Sequence, residues 1–321
     1  MFRNFFKKTQ AYGIVPVIKL DSPDQALELA KALVDGGLPV AEVTFRTAAA
    51  QESIRRIAEV FPDLLLGAGT VLTVEQAKKA VAAGASFIVS PGFNDAVVNY
   101  CVQEKIPVLP GCSSPSDIER ALSYGLKTVK FFPAEASGGL KAIKALSAPY
   151  GDVLFIPTGG INENNLLEYL SFDKILACGG SWMVPEQLIQ TGRFHDIARL
   201  TRSAVQLTLG LRLDHLGING NSKDEAESIA KLMTSLFGLE ARETRSGYML
   251  DHAVEILNQP GRGEKGHLAI ATHSLTRAMR FFKAQGWAFD ASSMKYSPAG
   301  QPVAIYFVEE IAGFAIHLLE K

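Results

Sequence analysis

Lys130 stands inside TVKFFPAE (128–135), surrounded by Val, Phe and Phe as it would be in a buried β-strand. Lysine is among the side chains least often buried, and an apolar surround disfavours its charged form. A neutral amine held in a pocket is a nucleophile toward carbonyl carbon. The alternative is a snorkelling or ion-paired lysine, so the polar residues on neighbouring strands matter. Successive strand residues point to opposite faces, so in AEVTFRT (41–47) Glu42, Thr44 and Arg46 share one face while Val43 and Phe45 share the other. The same parity groups Thr128, Lys130 and Phe132. With the apolar set packed outward, a carboxylate, a guanidinium, hydroxyls and an amine converge on one cavity. Glu42 and Arg46 taken alone could equally form a structural ion pair, and Thr70, which ends GAGT, could simply satisfy a turn.

Two glycine pairs add a second kind of chemistry. PTGGI (157–161) and CGGS (178–181) offer backbone N–H groups and the Ser181 hydroxyl, with Gly160 and Gly180 allowing close approach. Such turns, leading toward helix N-termini, suit a phosphate, although ordinary turn glycines would read the same way.

The elements that must position these groups alternate short apolar runs with amphipathic stretches. Candidate strands are 14–20, 41–45, 64–69, 87–91, 107–111, 128–133, 153–159 and 175–181. Between them, helix signals include Pro23 early and Gly36–Gly37 at the stop of one stretch, and Thr73 and Gln76 spaced as a capping box. Eight strand-plus-helix units of this short repeat predict an α/β fold, a closed (β/α)8 TIM barrel, whose chemistry gathers at the C-terminal strand ends and whose phosphate site lies after strands seven and eight. No GxGxxG opens the first unit, which argues against an open dinucleotide-binding sheet.

Composition bounds the function class. Among 321 residues, 32 basic and 33 acidic side chains give a net charge of −1, which offers no overall bias toward nucleic acid or a membrane surface. Three cysteines, Cys101, Cys112 and Cys178, lack any regular spacing and suit reduced thiols. No leader-like apolar segment and no run of eighteen apolar residues occurs, so a cytoplasmic protein is expected. Histidine is unevenly placed: only His195 precedes residue 210, and the other five crowd the last third. Two domains are therefore expected, 1–209 and 210–321, joined near QLTLGLR (206–212).

In order and spacing, EVTFRT, GAGTV, SPGFN, VKFFPAE, PTGGI and GGSWMVP closely resemble the 2-keto-3-deoxy-6-phosphogluconate and 4-hydroxy-2-oxoglutarate aldolase family, over residues 10–207. The resemblance implies a class I aldolase with Lys130 as the Schiff-base lysine and Glu42 as general acid/base. It implies Arg46 and Thr70 on the keto-acid carboxylate, Pro91 and Phe132 lining the pyruvate pocket, and Gly160, Gly180 and Ser181 on the phosphate. Thr158 would tune stereochemical preference. It also implies a small keto-acid phosphate as substrate, no cofactor for this half, and a homo-oligomer, with a trimer favoured. The galactonate-derived sibling substrate and non-phosphorylated relatives stay open, as does a phosphosugar epimerase or isomerase on the same barrel.

The remainder, 213–321, reads as a smaller α+β domain of duplicated βαβββ modules. Strand, helix and strand patterns at 213–218, 222–238, 247–250 and 253–258 recur at 266–272, 275–286, 302–308 and 313–320. This part resembles the vicinal-oxygen-chelate superfamily, which includes glyoxalase and bleomycin-resistance proteins. The resemblance implies metal ligands at His215, Glu255, His267 and His317, the last standing where many members have glutamate. Their N and O donors suit Zn, Ni, Mn or Fe. Such a domain would act on a sugar acid or keto acid, or would bind one without turnover.

Overall fold

In the computed structural model, which describes residues 2–321, eight short strands organise the first part of the chain. They are β1 (Ile14–Ile18), β2 (Val40–Thr44), β3 (Leu65–Gly69), β4 (Phe87–Val89), β5 (Val108–Leu109), β6 (Thr128–Phe131), β7 (Leu154–Pro157) and β8 (Cys178–Gly180). β1 through β5 pair in succession, all parallel, and β8 pairs with β1, Ile14 lying opposite Cys178. β6 pairs with β7, and single bridges from Gly111 to Lys130 and from Thr158 to Gly179 join that pair to β5 and β8. The ring is thereby closed, which makes this a (β/α)8-type barrel.

Strands closed into a ring and covered by helices are buried on both faces, and all five residues of β2 are buried. The polar members among them, Glu42 and Thr44, therefore need partners inside the barrel. The Thr44 hydroxyl finds one by donating to the Ile18 carbonyl at 2.8 Å. Helix starts follow local signals. Thr73 accepts from the Gln76 N–H, but the Gln76 side chain returns its bond to the Leu72 N–H, one residue before the position a capping box would use. A full capping box forms instead at Ser114 and Asp117.

The chain divides into two compact units, the first ending at Thr208 and the second being Leu209–Lys321. The stretch 206–212 is not an extended linker. A helix runs through Phe194–Leu209 and the next strand begins at Arg212, leaving Gly210, with φ 56°, and Leu211 between them.

In the second unit the strands are β9 (Arg212–Asn219), β10 (Ala241–Glu243), β11 (Gly247–Leu250), β12 (Val254–Leu257), β13 (Gly266–Thr272), β14 (Phe289–Tyr296), β15 (Pro302–Ile311) and β16 (Phe314–Glu320). They form one sheet in the order β10-β11-β12-β9-β13-β16-β15-β14. Helix Lys223–Phe237 lies between β9 and β10, and helix Leu275–Ala284 between β13 and β14. Both are capped by serine, Ser222 accepting from the Glu225 N–H and Ser274 from the Arg277 N–H. The first of these helices buries Ala226 and Ala230 against Leu250 and Ile256. Among the described residues, no helix is long and apolar enough to cross a membrane.

Candidate functional site

Inside the barrel, β2 and β6 bring Glu42 and Lys130 together: Nζ lies 3.2 Å from Oε1, and the two residues are only 6% and 4% exposed for Lys130 and Glu42. Room for the carboxylate comes from β3, where a Cβ on Gly69 would stand 2.1 Å from Glu42 Oε1. Lys130 is anchored through its backbone, accepting from Cys112 N–H and donating to the Pro110 carbonyl. Its Nζ also lies 5.3 Å from the centre of the Phe132 ring. Beside the pair is a void of about 10 Å³, at the limit of room for one water, lined in part by Thr158.

Thr158 also lines a larger cavity of about 180 Å³ at the C-terminal strand ends. Arg46, Phe132, Gly160, Gly180 and Ser181 line it too, so six of the expected site residues meet there. Thr70 and Pro91 are not in its lining. Thr70 connects through Arg46, whose Nε donates to its hydroxyl at 3.4 Å, and Pro91 packs its carbonyl against Gly111. Thr70 has φ 55°, a conformation that costs a β-branched residue strain of about 1–3 kcal/mol. A strained threonine whose hydroxyl meets the Arg46 guanidinium fits a site where that hydroxyl is needed.

The glycine pairs owe part of their identity to neighbours. Gly160 has φ 84° and would press a Cβ onto Glu135 Cγ at 2.5 Å. A Cβ on Gly180 would strike the Trp182 ring at 2.0 Å. No helix starts directly at either pair, since the following helices are the short segments Leu166–Leu170 and Glu186–Gln190. A phosphate at this end would therefore depend on the turns' own N–H groups and on Ser181, which is exposed. Glu135 is in turn tied down by the Tyr169 hydroxyl, which donates to its carboxylate. Burial and that contact raise the Tyr169 phenol above its ordinary range.

Sequence reasoning missed Lys19 and Glu186, which line the same cavity, and the Glu135–Tyr169 pair. Nothing local singles out a lysine that follows a strand. Its placement depends on which strand closes the ring beside β1.

In the second unit, His215, Glu255, His267 and His317 converge. Register explains it. Glu255 on β12 faces Gly217 on β9, and Gly217 faces His267 on β13; two residues along, His215 and His317 both face Ala269. A two-residue step keeps side chains on one face. Gly217 is the gap that admits the His267 ring, where a Cβ would lie 2.0 Å from Cε1. His215 Nε2 lies 3.2 Å from His267 Nε2, Glu255 Oε2 lies 3.3 Å from His267 Nε2 and 3.7 Å from His215 Nε2, and donor atoms of the three histidines lie within 4.8 Å of one another.

The surroundings prepare these donors. Asp214 bonds His215 Nδ1 at 2.9 Å, which turns Nε2 toward the cluster, and Ser246 donates to Glu255 at 2.9 Å. His267 chiefly, with Ser246, holds the Glu255 carboxyl below its usual range against the opposing effect of burial. For Asp214, burial works upward, but Lys321 and His215 together hold it low. His317 stacks on Tyr306 with centroids 4.7 Å apart, and both of its ring nitrogens are buried without a hydrogen-bond partner. Burial, then the neighbouring His267, His215 and Lys295, pushes its pKa down to about 3. A neutral imidazole with orphaned nitrogens facing two other imidazoles and a carboxylate fits a divalent transition metal.

Residues 6–200 match the family model described as KDPG and KHG aldolase. The chain is 50% identical over 202 residues to the 2-dehydro-3-deoxy-phosphogluconate aldolase of Treponema pallidum (strain Nichols), covering 63% of this chain and 96% of that protein. It is 44% identical over 193 residues to the KHG/KDPG aldolase of Escherichia coli (strain K12), covering 60% and 91%. Among solved structures, it is similar to the KDPG aldolase of Legionella pneumophila with pyruvate captured as a covalent carbinolamine, with a TM-score of 0.60, 40% identity, and coverage of 62% of this chain and 97% of that one.

Proposed function

We propose, from the premise that this chain belongs to the KDPG and KHG aldolase family, how its own residues cleave 2-keto-3-deoxy-6-phosphogluconate to pyruvate and glyceraldehyde 3-phosphate. The chain is a class I aldolase. The observation that carries the assignment of roles is the buried contact between Lys130 Nζ and Glu42 Oε1.

The Lys130 amine adds to the C2 ketone to form a carbinolamine, and loss of water leaves an iminium. Glu42, directly or through one water, removes the C4 hydroxyl proton. The C3–C4 bond breaks, its electron pair moves into the enamine, and glyceraldehyde 3-phosphate departs. Protonation at C3 and hydrolysis of the imine release pyruvate and restore the amine. Arg46, positioned by Thr70, pairs with the C1 carboxylate through a planar fork that lysine could not reproduce. Pro91 and Phe132 flank the pyruvate portion, Thr158 faces the carbinol carbon, and Gly160, Gly180 and Ser181 take the phosphate. Trapping with pyruvate and borohydride tests the first step: a reduced pyruvyl adduct on the peptide carrying Lys130 supports it, and an unmodified lysine in folded protein overturns it.

The second unit we read as a vicinal-oxygen-chelate-like domain of two βαβββ modules holding a divalent metal at His215, Glu255, His267 and His317. Support comes from the register that brings two donors from each module onto one face and from the unpartnered nitrogens of His317. A bound ion would supply a Lewis acid able to hold two adjacent oxygens of a hydroxy or keto acid. Metal analysis of purified protein, before and after chelation, tests this: less than stoichiometric metal after loading with zinc, nickel, manganese or iron would overturn it.

A further inference from the structure

Lys19 follows directly on β1, and its backbone is held from both sides. Thr44 donates to the Ile18 carbonyl at 2.8 Å and Thr47 to the Leu20 carbonyl at 2.5 Å. A long side chain thus springs from a fixed root. Because β1 pairs with β8, with Pro16 opposite Gly180, the segment after β1 runs beside the segment after β8. Lys19 consequently lines the same cavity as Gly180, Ser181 and Glu186, and on its other side β2 leads to Arg46.

Lys19 and Arg46 supply the lysine and arginine groups of this cavity's lining, and Glu186 supplies its carboxylate. Arg46 is engaged with Thr70. Lys19 Nζ lies 3.2 Å from Glu186 Oε2 and 3.3 Å from Asp21 Oδ1, and Asp21 also accepts from Gln190. An exposed lysine–carboxylate pair of this kind holds weakly and exchanges partners readily. A phosphate monoester carrying close to two charges, with three acceptor oxygens, is the stronger partner. Without Lys19, Glu186 would leave an unpaired carboxylate in the lining, with Arg46, already turned toward Thr70, as the lining's other cationic side chain.

We propose that Lys19 sets this cavity's preference for a phosphorylated substrate, releasing Glu186 to pair with the phosphate as it seats against Gly160, Gly180 and Ser181. The proposal rests on the aldolase assignment above and deepens it by naming the residue that reads the phosphate's charge. The substitution Lys19→Met keeps the unbranched stem and removes the ammonium.

The experiment compares full-length wild type and Lys19→Met with 2-keto-3-deoxy-6-phosphogluconate and with its unphosphorylated counterpart, 2-keto-3-deoxygluconate. The expected result is a rise in KM for the phosphorylated substrate of about tenfold or more, the range of one charged contact, with kcat little changed. The unphosphorylated substrate should show no such rise, and inorganic phosphate should inhibit the variant more weakly in the same ratio. Equal losses on both substrates, or no change on either, would overturn the role of Lys19 while wild type still traps pyruvate on Lys130. Failure of wild type to trap pyruvate would overturn the aldolase assignment itself, and the role of Lys19 with it.

Discussion

Lys130 Nζ and Glu42 Oε1 sit 3.2 Å apart inside the barrel, joined across β6 and β2 with both side chains buried. The amine that must shed a proton to attack and the carboxylate that must move protons afterwards are already hydrogen-bonded to each other. Each therefore supports the other's position before substrate arrives.

Breaking that pair separates chemistry from stability. Lys130→Met should abolish both cleavage and borohydride trapping, and should destabilise the first unit by about 3–5 kcal/mol because a buried carboxylate is left alone. Glu42→Gln should still trap pyruvate while kcat falls by about 10²–10⁴. The double variant should recover most of the lost stability and none of the activity, as read by urea titration beside turnover assays.

Thr70 offers a trade of the opposite sign. Thr70→Gly relieves the positive φ and should raise stability by about 1 kcal/mol, yet it removes the hydroxyl that accepts from Arg46 and should raise KM for the keto acid. Thr70→Ser keeps the hydroxyl and should keep KM near wild type. A Gly variant with unchanged KM would show that the strain serves something other than Arg46.

Metal removal should act on one unit only. Chelation should leave aldolase turnover within about twofold of its starting value, because an amine nucleophile and a carboxylate acid/base carry the proposed cleavage without a Lewis acid. It should also lower the thermal midpoint of the second unit, where a tight ion at a thousandfold excess over its Kd contributes about 4 kcal/mol. Alanine at His267 or at His317 should lower bound metal measured by elemental analysis. Turnover lost on chelation would argue against a metal-free aldolase.

Burial pushes the Cys101 and Cys112 thiols up to about 12. The reactive thiolate is scarce in the folded protein, so a disulfide exchange reagent near neutral pH should react slowly with both until the chain is unfolded. The same shift has a stability sign. As pH rises past the ordinary thiol value of 9, the unfolded chain ionises first and gains, so these residues cost stability progressively between pH 9 and about 12. Urea midpoints across that window should fall more steeply for wild type than for a Cys101→Ala, Cys112→Ala variant.

How far the sequence carried the fold depended on burial. Strands enclosed on both faces announce themselves as apolar runs, which is why Ile14–Ile18 or Leu154–Pro157 could be read, and why Lys130 stood out among such residues. β10 and β14 escaped because they lie at the two ends of the open sheet: Ala241–Glu243 is exposed throughout, and FDASSMKY shows no sustained apolar run. The helix Arg3–Tyr12 was missed too; it buries only Phe5 and Thr9, too little for a clear periodic signal. Chemical identity was readable where an unusual residue stood in an apolar setting. Lys19 and the strain at Thr70 were not, since one depends on which strand lies alongside and the other on a backbone angle.

The pairing of Ile14 with Cys178 sets a schedule for the growing chain. Roughly 160 residues separate the two strands that seal the ring, so on the ribosome β1 must wait with an open edge until β8 has emerged. The end of the barrel that carries the Gly180 and Ser181 turn is completed last, because both residues arrive with the sealing strand. The second unit is made afterwards, which lets the barrel finish before a histidine-rich sheet competes for the same folding time.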